Sequence, residues 1–206
     1  MALLRSISTV GGLTMVSRVL GFGRDILLAR YIGAGLVADC FFVAFKLPNF
    51  FRRLFAEGAF SAAFVPLFCG LLGEKGDAEG LAKAKRFAEE TLAVLLPVLL
   101  LFTALMQIFM PWVMYILAPG FADEPEKFQL AIDLTRSTFP YLMLISLVSL
   151  MAGVLNGVGR FVTAAAAPIL LNICLISSLV VFHDSDLLAG RSLARAVTIA
   201  GIVQLL

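Results

Sequence analysis

The stretch TLAVLLPVLLLFTALMQIFMPWVMYILAPGFA, residues 91–122, contains 32 residues without one charged side chain. An α-helix needs roughly 20 predominantly apolar residues to cross the hydrocarbon of a bilayer. Two further uncharged runs reach that length, with 23 residues at 137–159 and 22 residues at 161–182. None of these runs alternates polar and apolar residues, as the strands of a membrane barrel do. The pattern therefore predicts several membrane-spanning helices.

The composition of the whole chain has the same character. Of its 206 residues, 61% are hydrophobic and 15% are charged. Soluble domains average about 45–50% apolar and about 25% charged residues. A folded chain of this size still exposes much of its surface, so a soluble core could not hide this many apolar side chains. We therefore expect an all-α integral membrane protein with lipid as its solvent.

Breaks in the apolar pattern divide the chain into six expected helices, at residues 6–31, 36–72, 88–117, 128–158, 161–182 and 192–206. The second would be about 55 Å long, against a hydrocarbon core of about 30 Å. Pro48 therefore predicts a bend that lines a cavity, since broken backbone at membrane depth must face protein or water. Only 11 residues follow Arg195, so we expect the chain to end inside helix 6.

Charged residues are concentrated in the first sixty positions, inside segments that are otherwise apolar enough to span a membrane. Up to Glu57 the chain holds seven basic and three acidic residues, a net charge of +4. A charge at the bilayer centre costs about 2.5–3.5 kcal/mol on insertion scales, so these residues are candidates for function. On helix 1, Arg18 and Asp25 share a face, and Ser17 and Arg24 form an adjacent stripe.

Helix 2 carries a matching polar face, whose members follow helical spacing: Asn49, Arg52, Arg53, Ala56 and Glu57. A tight glycine-rich turn joins helices 1 and 2, so we expect the two faces to lie close together. The excess of arginine predicts an anionic substrate, because a guanidinium binds phosphate through two parallel hydrogen bonds. For any single residue, an ion pair that fixes packing remains the alternative.

Motifs of soluble enzymes are missing from the sequence. It contains no P-loop, no paired histidines and no nucleophile elbow. Its three cysteines are dispersed, and His183 is the only histidine. We therefore expect no enzymatic activity, no cofactor, no metal site and no nucleic-acid partner.

Two strings of the sequence are distinctive enough to indicate a protein family: SRVLGFGRD at 17–25 and DCFFVAFKLPNFFRRLFAEGAFSAAFVP at 39–66. With APGF at 118–121 and FPYLMLISL at 139–147, they make the sequence resemble the MurJ (MviN) family, the lipid II flippases of the bacterial cytoplasmic membrane. The resemblance implies a fold of the multidrug/oligosaccharidyl-lipid/polysaccharide exporter type. In that fold two six-helix lobes enclose a central cavity, and two further helices form a groove for the lipid tail. These residues would form the N-terminal lobe, with the C-terminal lobe as its missing partner.

The resemblance also implies which residues line the cavity or its gates. Together with the helical faces, it predicts substrate binding by Arg18, Arg24, Asp25, Arg52 and Arg53. Cavity or gating roles are expected for Ser17, Asp39, Asn49 and Glu57.

The implied function is to move the undecaprenyl-pyrophosphate-linked peptidoglycan precursor, lipid II, from the cytoplasmic to the outer leaflet by alternating access. The alternatives are another exporter of the same fold, for drugs or polysaccharide-linked lipids, and an anion channel or membrane scaffold. The net charge of +4 disfavours cationic drugs.

Lysine and arginine are unevenly distributed between the two sides of the membrane. The side that carries the N-terminus has six: Arg5, Lys75, Lys83, Lys85, Arg86 and Arg160. The opposite loops have Lys127 and Arg191, and Arg30 and Arg195 near helix ends on that side complicate the count. The positive-inside bias therefore predicts that the N-terminus and the segment 73–86 are cytoplasmic.

Single cysteines at residues 75 and 123 test this topology. In a background without the three native cysteines, we expect a membrane-impermeant thiol reagent to label Asp123→Cys, but not Lys75→Cys, in intact cells. Permeabilised cells, in which both positions should react, are the control. Labelling of residue 75 alone from outside would reverse the predicted orientation.

Overall fold

A computed structural model describes residues 2–53, 59–73 and 77–206, and it describes side chains from residue 8 onward except at 52 and 59–61. Every regular element in these ranges is helical, which confirms the all-α prediction. The α-helices are α1 (Ala2–Tyr31), α2 (Leu36–Arg52), α3 (Ala59–Leu72), α4 (Ala78–Ile108), α5 (Met110–Leu117), α6 (Pro125–Thr138), α7 (Pro140–Gly157), α8 (Phe161–Val181) and α9 (Asp186–Leu205). A short 3₁₀ turn, Pro119–Phe121, follows α5.

Three stretches of the described chain are long and apolar enough to cross a membrane: Ala78–Ile108, Pro125–Gly157 and Phe161–Val181. Each overlaps one of the three uncharged runs of the sequence. The helices α1, α2 and α9 complete the assembly, and each carries charged side chains within it.

The helix predicted at 36–72 corresponds to two described helices, α2 and α3. α2 continues through Pro48 and ends at Arg52, where the backbone N–H of Arg53 donates to the carbonyl oxygens of both Asn49 and Phe50. The next described helix, α3, begins at Ala59. α2 is therefore continuous through Pro48, and the bend expected there stays a prediction.

Two helices begin earlier than predicted, because polar residues cap them. α4 starts at Ala78, ten residues before the expected 88, and the Asp77 carboxylate accepts from the N–H of Gly80 at 2.8 Å. α9 starts at Asp186, six residues before the expected 192, with the Ser185 hydroxyl oxygen accepting from the N–H of Leu188 at 3.3 Å. Such caps satisfy backbone donors that a helix start leaves open. The twenty residues of α9 reach about 30 Å.

Pro48 shows how a membrane helix tolerates proline. Proline has no N–H, so the carbonyl four residues earlier loses its usual helical donor. For Pro48 that carbonyl belongs to Ala44, and the hydroxyl of Thr138 on α6 lies 2.9 Å from its oxygen. Thr138 is fully buried. The proline of α2 thus creates a specific contact with α6.

Pro111 and Pro140 create a second, reciprocal contact. Pro111 frees the carbonyl of Gln107, which accepts from Arg136 Nε at 3.2 Å. Pro140 frees the carbonyl of Arg136, which accepts from Gln107 Nε2 at 2.8 Å. Both prolines lie where a long helix is divided, between α4 and α5 and between α6 and α7. The two divisions are therefore joined to each other.

The packing order of the helices determines where a cavity can form. α1 packs mainly on α8, α8 on α9, α2 on α6, and α7 on α9. The approach of α7 to α9 depends on Gly201, where an added Cβ would lie 2.9 Å from atoms of Leu144 and Tyr141. The main packing partner of α1 is therefore α8, and that of α2 is α6.

Thr138→Val tests the role of the threonine at Pro48. The substitution keeps the shape of the side chain but leaves the Ala44 carbonyl without its donor, so we expect a loss of about 1–3 kcal/mol of stability. Thermal unfolding of the detergent-solubilised protein measures this as a lower midpoint. Thr163→Val, an isosteric change at an exposed position of α8, should be nearly neutral.

The same substitution in a Pro48→Ala background identifies the cause. An alanine at position 48 would restore an N–H to the Ala44 carbonyl, so Thr138→Val should cost clearly less there. An equal loss in both backgrounds would show that Thr138 stabilises the protein by another route.

Candidate functional site

The polar face predicted on α1 opens into a cavity. Ser17, Arg18, Gly21 and Arg24 all contribute to its lining. Arg18 is exposed, whereas 22% of the Arg24 side chain remains accessible. Their spacing follows the helical period, so they share one side of the helix.

Three hydrogen bonds fix the guanidinium of Arg24. Nε and Nη2 donate to Asp25 Oδ1 at 2.9 and 2.7 Å, and Nη1 donates to Asn172 Oδ1 at 3.1 Å. The Asp25 side chain is 64% exposed. A charge in an apolar setting is tolerated when it is paired and hydrogen-bonded. Asp25 provides the pairing, and Asn172 provides the link to another helix.

Asn172 on α8 is a site residue that the sequence interpretation missed. It is 6% exposed, and both ends of its amide contact α1. While Oδ1 accepts from Arg24, Nδ2 donates to the backbone oxygen of Ser17 at 3.0 Å. The signal was an asparagine inside an uncharged run, because a polar group buried in a membrane helix needs a hydrogen-bonding partner.

The central cavity has a volume of about 430 Å³ and lies between α1, α2, α7, α8 and α9. Its polar side chains come from all five helices: Ser17, Arg18, Arg24, Asn49, Tyr141, Ser149, Asn156, Asn172 and Gln204. Within the described residues the lining contains two arginines and no acid. Such a lining concentrates positive potential inside low-dielectric walls and favours an anion.

Residues from both predicted polar faces line the central cavity. Ser17, Arg18 and Arg24 lie on the α1 side, and Asn49 lies on the α2 side. The expectation that the two faces lie close together stays a prediction, and α8 is the main packing partner of α1.

Other predicted residues lie away from this lining. Asp25 contacts Arg24 but is itself exposed, and Arg53 is exposed at the end of α2. The side chain of Arg52 and the whole of Glu57 lie outside the described residues. Their predicted roles stay predictions.

Asp39 forms a separate ion pair near the start of α2. Lys127 Nζ lies 3.0 Å from Asp39 Oδ2 and 4.5 Å from the ring centroid of Phe121. The Lys127 side chain is 15% exposed, so this cation is largely enclosed by its partners. The contact connects the first turn of α2 to the first turn of α6. Asp39 is therefore separated along α2 from Asn49, which lines the central cavity.

The described residues contain no group of three or more His, Cys, Asp or Glu side chains that could hold a metal ion. His183 Nδ1 lies 2.8 Å from the carbonyl oxygen of Val180, and its ring packs 4.9 Å from that of Tyr31. This histidine therefore contributes to packing between the ends of α8 and α1.

A family model described as "Lipid II flippase MurJ" matches residues 28–206. The chain belongs to the MurJ family. It is 48% identical over its whole length to a "Probable lipid II flippase MurJ" of Rhizobium tropici, covering 38% of that protein. A "Lipid II flippase MurJ" of Burkholderia cenocepacia is 39% identical over the whole chain, with 39% of the relative covered.

The fold agrees with the sequence comparison. A solved structure titled "Lipid II flippase MurJ, inward closed conformation" superposes with a TM-score of 0.76 and 27% identity, over 95% of this chain and 40% of that one. The resemblance and the exporter-type fold predicted from the sequence are confirmed. The chain spans about two fifths of the length of these MurJ proteins. With its apolar helices, it is a membrane protein of the bacterial inner membrane.

A double-mutant cycle tests whether Asn172 positions Arg24. We expect Asn172→Leu and Arg24→Met to be non-additive in thermal stability, with a coupling energy of about 0.6–1.7 kcal/mol, as found between membrane helices. The matched control pairs Asn156→Leu with Arg24→Met. Asn156 lines the same cavity but makes no side-chain hydrogen bond within the described residues. Additivity in both pairs would contradict the link.

Proposed function

We propose that this chain is part of a lipid II flippase, and that its central cavity receives the pyrophosphate of the lipid-linked peptidoglycan precursor. One observation carries the proposal: Arg18 and Arg24 are the charged residues in the described lining of a cavity that lies between membrane helices. The polar head group of such a substrate cannot cross hydrocarbon unaided, so it needs an enclosed path with fixed positive charge.

The chemistry of arginine suits this substrate. A guanidinium offers five N–H donors in a rigid plane and keeps its charge even at low polarity. Polar side chains without charge surround the two arginines, including Asn49, Ser149 and Asn156. The amide of Asn156 can donate to phosphate or sugar oxygens, whereas the Ser149 hydroxyl already donates to the Ile145 carbonyl oxygen at 2.7 Å. The role of Arg18 and Arg24 is therefore to replace the hydration of the pyrophosphate.

The membrane potential supplies a direction for transport. With the predicted cytoplasmic N-terminus, the substrate moves from the negative to the positive side. Moving one negative charge outward is favoured by about 2.3 kcal/mol per 100 mV. An anionic lipid therefore gains energy from export, provided that the arginines release it on the outer side.

Alternating access requires a second structural unit facing the cavity. The helices α1, α2, α7, α8 and α9 form one wall. The C-terminal lobe is the proposed opposite wall and partner. Rocking of two lobes around a fixed midplane site, which is common in transporters, would then expose the arginines to each side in turn.

Arg24→Ala should abolish growth rescue in a flippase-depleted bacterium when the protein is expressed from its complete reading frame. The change removes a charge-assisted contact worth about 1.5–3 kcal/mol and leaves Asp25 without its partner. Arg24→Lys keeps the charge but loses the planar donors, so it should also fail.

Lys46→Ala is the control, since Lys46 is exposed and lies outside the central cavity. It should support normal growth, with membrane levels of all variants compared by immunoblot. Normal growth with well-expressed Arg24→Ala would make Arg24 a packing residue and remove the proposed site. Rescue by lysine but not alanine would show that charge alone is needed.

A further inference from the structure

A second polar pocket, separate from the central cavity, lies between α6 and α9. We call it the arginine pocket; it has a volume of about 300 Å³ and is lined by Asp133, Leu134, Arg136, Ser137, Arg191 and Arg195. It shares no lining residue with the central cavity. On α9, Gln204 lines the central cavity, and Arg195 is nine residues earlier, about 180° around the helix. The arginine pocket therefore faces away from the proposed transport path.

The position of Arg136 in this pocket is fixed by backbone chemistry. Its Nε donates to the Gln107 carbonyl that Pro111 leaves free, at 3.2 Å, and its own carbonyl accepts from Gln107 Nε2 at 2.8 Å. This reciprocal contact orients the guanidinium and leaves its outer N–H donors available. The pocket thus contains one oriented arginine beside two arginines on α9.

Charge in the arginine pocket is unbalanced. Asp133 is the one acid among its lining residues, and its carboxylate accepts from Gln129 Nε2 at 3.1 Å. Within the described part of the chain, Arg136, Arg191 and Arg195 form no ion pair, whereas Arg24, Lys83, Lys85, Arg86 and Lys127 do. Exposed guanidinium groups next to hydrocarbon are costly unless an anion accompanies them. The pocket therefore has an excess of positive charge that an external anion would neutralise.

The depth of the arginine pocket corresponds to a lipid head group. Gln107, which holds Arg136, is sixteen residues beyond Thr91, where the uncharged run begins. Sixteen residues of helix correspond to about 24 Å of a hydrocarbon core of about 30 Å. The pocket thus lies near the membrane surface opposite the charged start of α4.

An apolar stripe continues from the arginines toward the membrane interior. On α9, Ile199 and Ile202 follow Arg191 and Arg195 at helical spacing on the same face. Ile199 is 53% exposed and Ile202 is 48% exposed. The three arginines lie near the membrane surface, and the two exposed isoleucines lie deeper in the membrane. A phospholipid has the same order, with its phosphate at the surface and its acyl chains inside.

We infer that the arginine pocket binds the phosphate of a lipid head group, with an acyl chain lying along Ile199 and Ile202. The apolar stripe favours a lipid over free phosphate, which would need no such surface. The site does not depend on which substrate crosses the central cavity. Its assignment to the outer leaflet rests on the predicted topology.

Lipid retention in nanodiscs tests the inference on the protein expressed from its complete reading frame. The discs contain phosphatidylcholine with a minor fraction of phosphatidylglycerol, and mass spectrometry counts the phosphatidylglycerol that remains after detergent extraction. The test variant is the double change Arg191→Gln and Arg195→Gln, which leaves the Gln107–Arg136 contact intact. Loss of two charge-assisted contacts should weaken retention at least about tenfold.

The charge-matched control is Lys83→Gln with Arg160→Gln, which removes two positive charges at the other membrane surface. We expect it to retain the lipid like the unmodified protein. A second test variant, Ile199→Asn, removes part of the apolar stripe and should weaken retention of phosphatidylglycerol. Inorganic phosphate is added as a competitor to the unmodified protein and to this variant, and it should displace the same fraction of the retained lipid from both.

Four results would overturn the inference. Equal retention by the test variant and the unmodified protein would mean that the pocket binds no lipid. Equal losses in the test and charge-matched variants would show a general effect of charge. A fall in thermal stability or assembly of the test variant, with lipid retention unchanged, would make the arginines a protein contact. Complete competition by inorganic phosphate, with Ile199→Asn unaffected, would assign the phosphate site to a soluble anion and reject the acyl-chain contact.

Discussion

Inside a bilayer, no water is present to donate a hydrogen bond to a backbone carbonyl that has lost its helical donor, so the protein itself must supply a donor. Several helix contacts of this protein follow from that constraint. Proline creates such carbonyls at Ala44, Gln107 and Arg136, and in each case a side chain from a neighbouring helix donates to the oxygen. These contacts join α2 to α6 and α4 to α6. At these three positions, a residue that weakens one helix thereby creates a specific contact with a neighbouring helix.

The same constraint builds the central cavity. Asn172 must use both ends of its amide, and its two partners on α1 are the Ser17 carbonyl and the Arg24 guanidinium. This holds α1 against α8 and turns the arginine side of α1 toward α7 and α2. α2 is meanwhile held against α6 through Thr138. The space left between these two pairs of helices is the cavity, and its positive lining results from how the polar contacts are satisfied.

Much of this arrangement was predictable from the sequence, for identifiable reasons. The uncharged runs indicated the long helices because bilayer thickness fixes their length, and the arginines of α1 were conspicuous as charges inside an apolar segment. The role of Asn172 was harder to predict from local patterns. Asn172 is uncharged, and its side chain forms its hydrogen bonds with α1 and not within α8. Its role is therefore visible when the packing of α8 against α1 is known.

If the central cavity receives a pyrophosphate as proposed, the hydrogen bonds of Arg24 also bear on how that substrate is released. The Nε–Nη2 edge, which would bind a phosphate with two parallel hydrogen bonds, already faces Asp25 Oδ1. A phosphate must therefore displace the carboxylate or use the remaining donors. Displacement would leave Asp25 unpaired, although its exposure of 64% allows water to solvate it. The cost of separating Arg24 from Asp25 lowers the net affinity for the anion, and a carrier needs a site that binds strongly enough to load and weakly enough to unload. Under the proposed function, Asp25 therefore competes with the substrate for the same guanidinium.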